Sequence, residues 1–480
     1  MVTFFLAIIA LVSGYLFYSR IVEKIAGTDT NRQTPAYKLQ DGVDYIPLPW
    51  WRIFLIQFLN IAGLGPIFGA IAGAMWGPVA LLWIVLGSIF AGAVHDYFSG
   101  MLSIRHNGLS ITEIVGIYLG KGTKQFMRGF TVVLMVMVGA VFILGPAGIL
   151  EGLTPHSLTL TFWVWVVFGY YILATLLPID KIIGRIYPVF GFCVLFMAVG
   201  LITALFVKGI HIPELTLNTL HNHHADAGKF PVFPMMFISI ACGAISGFHS
   251  TQSPLMARCI TNEKYGRRVF YGAMISEGVV ALIWAVIGMS FYGGVHELNT
   301  VMNEHDGNAA YLVNEISNSL LGRFGAVLAL LGVVAAPITS GDTAFRSARL
   351  IVADFLKFKQ GPIINRLAVC IPLFGIGFLL TRIDFSIIWR YFAWANQTLG
   401  MIVLWTITVY LGQEKKFYWI TLIPAVFMTA VTTTYLLIAP EGFSLSSHIS
   451  YTIGAVLAVG SFIAFYIYHN RYHSQLPQVI

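Results

Sequence analysis

Between Arg52 and Arg105 the chain carries a single fixed charge, Asp96, and almost everything else there is Ile, Leu, Phe, Val, Ala or Gly. No soluble core hides an uninterrupted apolar run of that length, whereas a bilayer about 30 Å thick is crossed by roughly 20 such residues as a helix. Comparable runs recur to the end of the 480 residues, of which 57% are apolar and 10% charged. This excludes a soluble enzyme, a nucleic-acid-binding domain and a disordered chain. The net charge of +7 needs no nucleic-acid partner, because a polytopic protein keeps Lys and Arg on its cytoplasmic loops.

A window of span length finds thirteen candidates, with cores near 3–20, 53–75, 79–103, 127–146, 158–177, 187–207, 233–256, 269–293, 323–345, 364–381, 386–411, 417–438 and 447–468. Two divisions are weak, one at Trp76-Gly77-Pro78 and one at 382–385, where Arg382 and Asp384 mark a turn. The stretch 2–18 has no basic residue before it and no small-residue cleavage site, so it is expected to stay as a first span with an outer N-terminus. Thirteen spans then require basic loops on alternate sides. All but five of the 28 Lys and Arg fall on the inner segments, the exceptions being Lys208, Lys229, Arg323, Arg382 and Arg390.

The second span reads Gln57-Phe58-Leu59-Asn60-Ile61-Ala62-Gly63-Leu64-Gly65-Pro66. Proline removes a backbone donor and glycine lowers the cost of leaving helical geometry, so an interruption is expected about 15–18 Å deep, near mid-membrane. The seventh span holds a matching stretch, Ala241-Cys242-Gly243-Ala244-Ile245-Ser246-Gly247-Phe248-His249-Ser250. Five spans separate the two, so they run in opposite directions, the layout of an inverted repeat with a binding site between its halves. The alternative is that Gly65, Gly69 and Gly73, like Gly243 and Gly247, only let helices pack closely.

Ionisable and amide groups at membrane depth are costly and therefore candidates for function. Thr339, Ser340 and Asp342 form a hydroxyl-rich patch with one carboxylate, suited to a hard monovalent cation or a proton. Alternatively the hydroxyls bond back to their own helix and Asp342 pairs with Arg346. His95 and Asp96 could relay protons, though neighbours on a helix point about 100° apart and are expected to face different partners. His249 follows the second break directly and titrates near neutrality. Gln57, Asn60, Ser246, Asn396 and Gln397 supply amides and a hydroxyl for a carboxylate or amide, or interhelical hydrogen bonds. Trp50, Trp51, Trp76, Trp389, Tyr391, Phe392 and Trp394 read as interfacial belt aromatics.

The outer segment 208–231, with His211, His221, His223 and His224, and the acidic segment 296–315 read as solvated loops, since no carboxylate or thiol sits at ligand spacing to those histidines. Cys193, Cys242, Cys259 and Cys370 show no paired spacing. No metal set is assigned, and the coupling ion is Na⁺ or H⁺.

Four segments in order, 57–66, Gly92-Ala93-Val94-His95-Asp96 with Arg105-His106-Asn107-Gly108, 241–249, and Gly341-Asp342-Thr343-Ala344-Phe345-Arg346, resemble the carbon starvation protein A family over roughly residues 1–410. The resemblance implies a bacterial inner-membrane carrier for peptides or pyruvate, active in carbon starvation, in the amino acid–polyamine–cation superfamily with the LeuT-type five-plus-five fold. It makes the second and seventh spans the first and sixth core helices, and it matches Thr339 and Ser340 to the Ser/Thr pair that helps bind the cation in sodium-coupled members. The chain departs from many relatives at Gln57, where they have His, and lacks the longer C-terminal membrane region of enterobacterial members.

The reading is therefore an all-α, LeuT-like secondary transporter: an extra first helix (1–24), two five-helix repeats (51–208 and 231–411) and two C-terminal helices (412–480). Substrate-binding residues are expected to be Asn60, Gly63, Gly65, Gly243, Ser246, Gly247, His249 and Asn396, with Thr339, Ser340, Asp342, His95 and Asp96 for coupling. Half-helix N-termini at Gly65 and Gly247 would hold a carboxylate. Its partners are a small-molecule substrate and membrane lipid, with no nucleic acid. A channel would need a continuous polar file, and an intramembrane hydrolase using Ser246 or Ser250 would need the G-x-S-x-G elbow, which is missing here. No GxxxxGK[ST] segment is present to bind ATP.

Overall fold

The structure, a computed structural model, describes residues 1–176, 183–359, 362–383 and 385–475. Asp384, placed in a turn from sequence, lies outside these residues, as do the side chains of Arg185 and Arg323. Helices account for all the regular structure described, apart from an isolated bridge between Leu48 and Ile260. Their outward faces are apolar: Leu6, Phe17, Leu173, Phe192, Ile371, Leu379 and Val456 are all exposed. An apolar exterior around a core with buried Asp, Glu, His and Arg is what a bilayer solvent selects. The chain is a multi-pass, all-helical membrane protein.

Helix lies over every one of the thirteen windows, but among the described residues nine helices are long and apolar enough to cross a membrane alone, or ten with one bent pair. The shortfall has local causes. Leu160–Leu176 is short as far as it is described. The seventh span is cut into pieces, the longest Gly247–Ala257. The ninth continues past its expected end as Ala335–Leu356 and carries Asp342, Arg346, Arg349 and Asp354. Elsewhere glycines set corners: Gly77 (φ +84°) makes the turn after Trp76, and Gly120 (φ +90°) splits a preceding arm from the fourth span within Ile111–Leu153.

Both expected breaks are present. Trp50–Ile61 and Gly65–Ala74 meet at 57°, with Ala62 out of helical geometry (ψ 54°). In the seventh span Ala241–Ala244 ends at Ile245 and Ser246, whose backbones are extended (φ −155° and −146°) before Gly247–Ala257 begins. The two readings of the glycines turn out to be compatible. Gly65 packs on the Cys242 side chain, Gly73 on Ile240, and a Cβ at Gly69 would stand 2.9 Å from the Ser239 carbonyl. The stripe thus packs one broken helix onto the other. The third span backs the second break: Ser88 Oγ donates to the Gly243 carbonyl at 3.0 Å, and Gly92 abuts the Ala244 carbonyl.

At one end of the bundle the buried Glu263 carboxylate is held by Arg32 at 2.7 Å, by Arg105 at 3.4 Å and by the Asp29 amide at 3.0 Å. Nearby Asp44 lies 3.6 Å from Arg346 and 3.9 Å from Arg349. At the other end the segments expected to be solvated are tied down. Asn299 donates to the Met75 carbonyl at 3.0 Å and accepts from the Ala225 amide at 3.0 Å, while the His224 ring packs at a tilt against both Trp76 and Phe230. Burial pushes the His224 imidazole below its ordinary pKa, so it packs as a neutral ring. The acidic segment is mostly helical, Val295–Glu304 and from Ala309 on, with Glu297, Glu304 and Glu315 exposed.

Replacing Gly65 by Ala puts a methyl into the Cys242 side chain and is expected to cost about 1–3 kcal/mol. Thermal unfolding in detergent checks this: Gly65→Ala should melt below wild type, and Gly460→Ala, which meets open space, should not. Equal melting of Gly65→Ala and wild type would refute the packing.

Candidate functional site

The third span places His95 and Asp96 one turn beyond a π-turn at Ser88–Gly92. Contrary to expectation, these neighbours are bonded to each other. His95 Nδ1 lies 2.8 Å from Asp96 Oδ1, and His249 Nδ1, from the seventh span, lies 2.9 Å from Asp96 Oδ2. A carboxylate only accepts, so both imidazoles donate through Nδ1 and leave Nε2 free to bind elsewhere. The Cα–Cβ vectors do diverge around the helix, but the His95 ring turns back far enough to reach the neighbouring carboxylate.

His249 Nε2 stands 3.3 Å from Glu277 Oε2 on the eighth span. That is an ion-pair distance without hydrogen-bond alignment, and both Glu277 oxygens lack a directed partner within the protein. All four side chains are fully buried. The result is a continuous array, His95, Asp96, His249, Glu277, with two carboxylates sharing the central imidazole. Glu277 was not among the expected residues. Its signal was available: it is the one carboxylate between Arg268 and Glu297, with Ala273, Met274, Val280 and Ala281 one turn away and no cation to pair it.

At the second break Asn396 takes a structural post. Its Oδ1 accepts from the Phe248 amide at 2.6 Å and from Ser246 Oγ at 3.1 Å. The N-terminus of the half-helix at Gly247 is therefore capped by an amide from the eleventh span, not left open to a solute carboxylate as expected. Gly247 packs on the Asn396 carbonyl and Gly400 amide, Gly243 on Ala281, and Gly63 on Phe142. The four expected glycines are close-approach positions in this structure. Gln397 Nε2 reaches the Phe237 carbonyl at 3.3 Å.

Gln57 and Asn60 sit on one face of the last turn before the first break, and all four of their amide heteroatoms are buried without a partner in the protein. Buried amides are nearly always satisfied, so two bare ones beside a broken helix mark a place for polar solute or water. Ser340 reaches the same break, with Oγ 3.0 Å from both the Leu59 and Ala336 carbonyls. Thr339 Oγ1 instead bonds back to Ala336 at 2.7 Å, the alternative foreseen for it. Asp342 accepts from Tyr187 Oη at 2.7 Å, a partner the sequence did not suggest.

Paired broken helices enclosing buried amides and a titratable array define a membrane transporter fold. Solved structures agree on the fold: MhsT in complex with L-phenylalanine (TM-score 0.54, 14% identity, 85% of this chain and 98% of that one) and the Eremococcus coleocola manganese transporter (TM-score 0.53, 12% identity, 90% and 98%). The model of the family described as "Carbon starvation protein CstA" matches residues 1–160, 148–319 and 307–435, and the chain belongs to that family. Among its relatives are an uncharacterized membrane protein of Haemophilus influenzae (45% identity, 61% of this chain and 91% of that one), the peptide transporter CstA of Campylobacter jejuni (25%, 87% and 77%) and the pyruvate/proton symporter BtsT of Escherichia coli (24%, 89% and 80%).

Removing the Asn396 side chain strands the Phe248 amide and is expected to destabilise the break by about 1–3 kcal/mol. Hydrogen exchange across 245–250 should quicken in Asn396→Ala but not in Thr398→Ala, whose hydroxyl bonds only its own helix. Unchanged exchange in Asn396→Ala would remove the cap from this account.

Proposed function

We propose that this chain is a secondary active carrier that imports a small carboxylate-bearing solute, pyruvate or a short peptide, by alternating access across a bacterial inner membrane, coupled to protons at the Asp96–His249–Glu277 array. The observation behind this reading is the array itself, which joins the third and eighth spans to the first residues after the second break. Two carboxylates around one imidazole leave an uncompensated buried negative charge unless a proton joins them. Gaining or losing that proton changes how firmly the seventh span is held to its neighbours, and so biases one arrangement of the bundle over another. Gln57 and Asn60 would meet the solute carboxylate through their amide groups. The names of relatives that carry peptides or pyruvate with protons point the same way. The count of thirteen spans, the outer N-terminus, the five-plus-five division and the starvation response belong to the same reading.

A sodium-coupled variant has one observation in its favour. Ser340 Oγ and the Leu59 carbonyl come together where the first helix breaks, a pairing of oxygens suited to a hard cation. In that version Ser340, with Thr339 behind it, replaces the histidine array as the coupling site, and Asp342 with Tyr187 supports the ninth span.

Uptake of pyruvate, dipeptides and tripeptides into proteoliposomes under imposed proton or sodium gradients separates these. An inward proton gradient should drive accumulation of one of them, and Asp96→Asn and Glu277→Gln should abolish accumulation while solute exchange persists. Drive by sodium alone, lost in Ser340→Ala and kept in both array variants, would overturn proton coupling. Non-saturating flux would overturn the carrier. Asp342→Asn is expected to lose accumulation only if the ninth span takes part in coupling, so full activity removes Asp342 from that role.

A further inference from the structure

The proton array has a third kind of neighbour. Cys242 Sγ, a His249 ring nitrogen and a Glu277 carboxylate oxygen lie within 4.8 Å of one another, and all three residues are buried. We infer that Cys242, His249 and Glu277 form a binding site for a borderline-soft divalent metal ion of the Zn²⁺ class.

Three features carry this. The donor set of one thiolate, one imidazole and one carboxylate is that of three-ligand zinc sites, in which a fourth position stays open. A thiolate disfavours Mg²⁺ and Ca²⁺, which take oxygen. The imidazole is oriented as metal-binding histidines are: Nδ1 donates to Asp96 at 2.9 Å, which fixes the tautomer and turns Nε2 toward Glu277. Nε2 and both Glu277 oxygens are buried and lack directed hydrogen-bond partners in the protein. Their 3.3 Å separation is about the N···O edge of a tetrahedron with bonds of roughly 2.0–2.1 Å. The thiol lies within 4.8 Å of both, close enough to complete the set by a small side-chain adjustment.

The Glu277 carboxylate and a Cys242 thiolate together match the charge of a divalent ion. Cys242 lies against Gly65, so such an ion would sit where the two broken helices touch. Metal and proton would use the same lone pairs, so on the proton-coupled reading above the metal is a competitor that arrests transport.

The test is Co²⁺ titration of the purified full chain in detergent, followed by absorption. Wild type should bind one Co²⁺ per chain with a thiolate-to-cobalt charge-transfer band, displaced by Zn²⁺. Cys242→Ser should lose the band, and Cys259→Ser should keep it. Where Cys242→Ser fails to fold, Glu277→Gln decides, with affinity lowered about 10-fold or more. No band in wild type, a band surviving in Cys242→Ser, or unchanged affinity in Glu277→Gln would each overturn the site. Binding is read without transport, so failure of the carrier reading leaves this result untouched.

Discussion

A main chain inside hydrocarbon has no water to satisfy its amides, so every departure from helix at that depth must be answered by another part of the protein. Two stretches of this chain depart, at 62–64 and 245–246, and the rest of the bundle is arranged around answering them. Asn396 satisfies the Phe248 amide, and Ser88 satisfies the Gly243 carbonyl. Ser340 reaches the Leu59 carbonyl just before the first break. Each answer comes from a different span, so the breaks act as the points at which the second, third, seventh, ninth and eleventh spans are held in register.

The same logic governs charge. Asp96, His249 and Glu277 would each be prohibitive alone in a low-dielectric interior, and together they reduce the cost without removing it. An imidazole between two carboxylates is best compensated when one more positive charge is present. On the proton-coupled reading proposed above, that requirement links the seventh span to the proton it binds. A site of this kind is suited to a moving part, since its stability depends on occupancy.

Much of the fold was legible because glycine and proline announce themselves: Gly63, Gly65 and Pro66, and Gly243 and Gly247, lie where the helices break. What answers a break was not legible. Asn396 is 148 residues from Phe248 and Asp96 is 153 from His249, and no local rule connects residues so far apart. Tyr187 as the partner of Asp342 was hidden for the same reason. Glu277 is different: it shows the signal that singled out Asp96, a carboxylate alone in an apolar run, but has no glycine–proline break or neighbouring histidine to mark it. Window counting cannot see that the seventh run is cut into short pieces, which is one reason why, among the described residues, fewer helices than windows are each long enough to cross alone. It placed the end of the ninth helix too early because Arg346 and Arg349 read as loop charges, when in fact they are buried beside Asp44.

The knot at Glu263 fastens the tail after the first span, the end of the third and the start of the eighth with one carboxylate and two guanidinium groups. Stripping partners from a buried charge costs about 3–5 kcal/mol, which alone would keep an untied form below roughly 1% of molecules. The three segments are therefore fastened together at that end of the bundle nearly all the time.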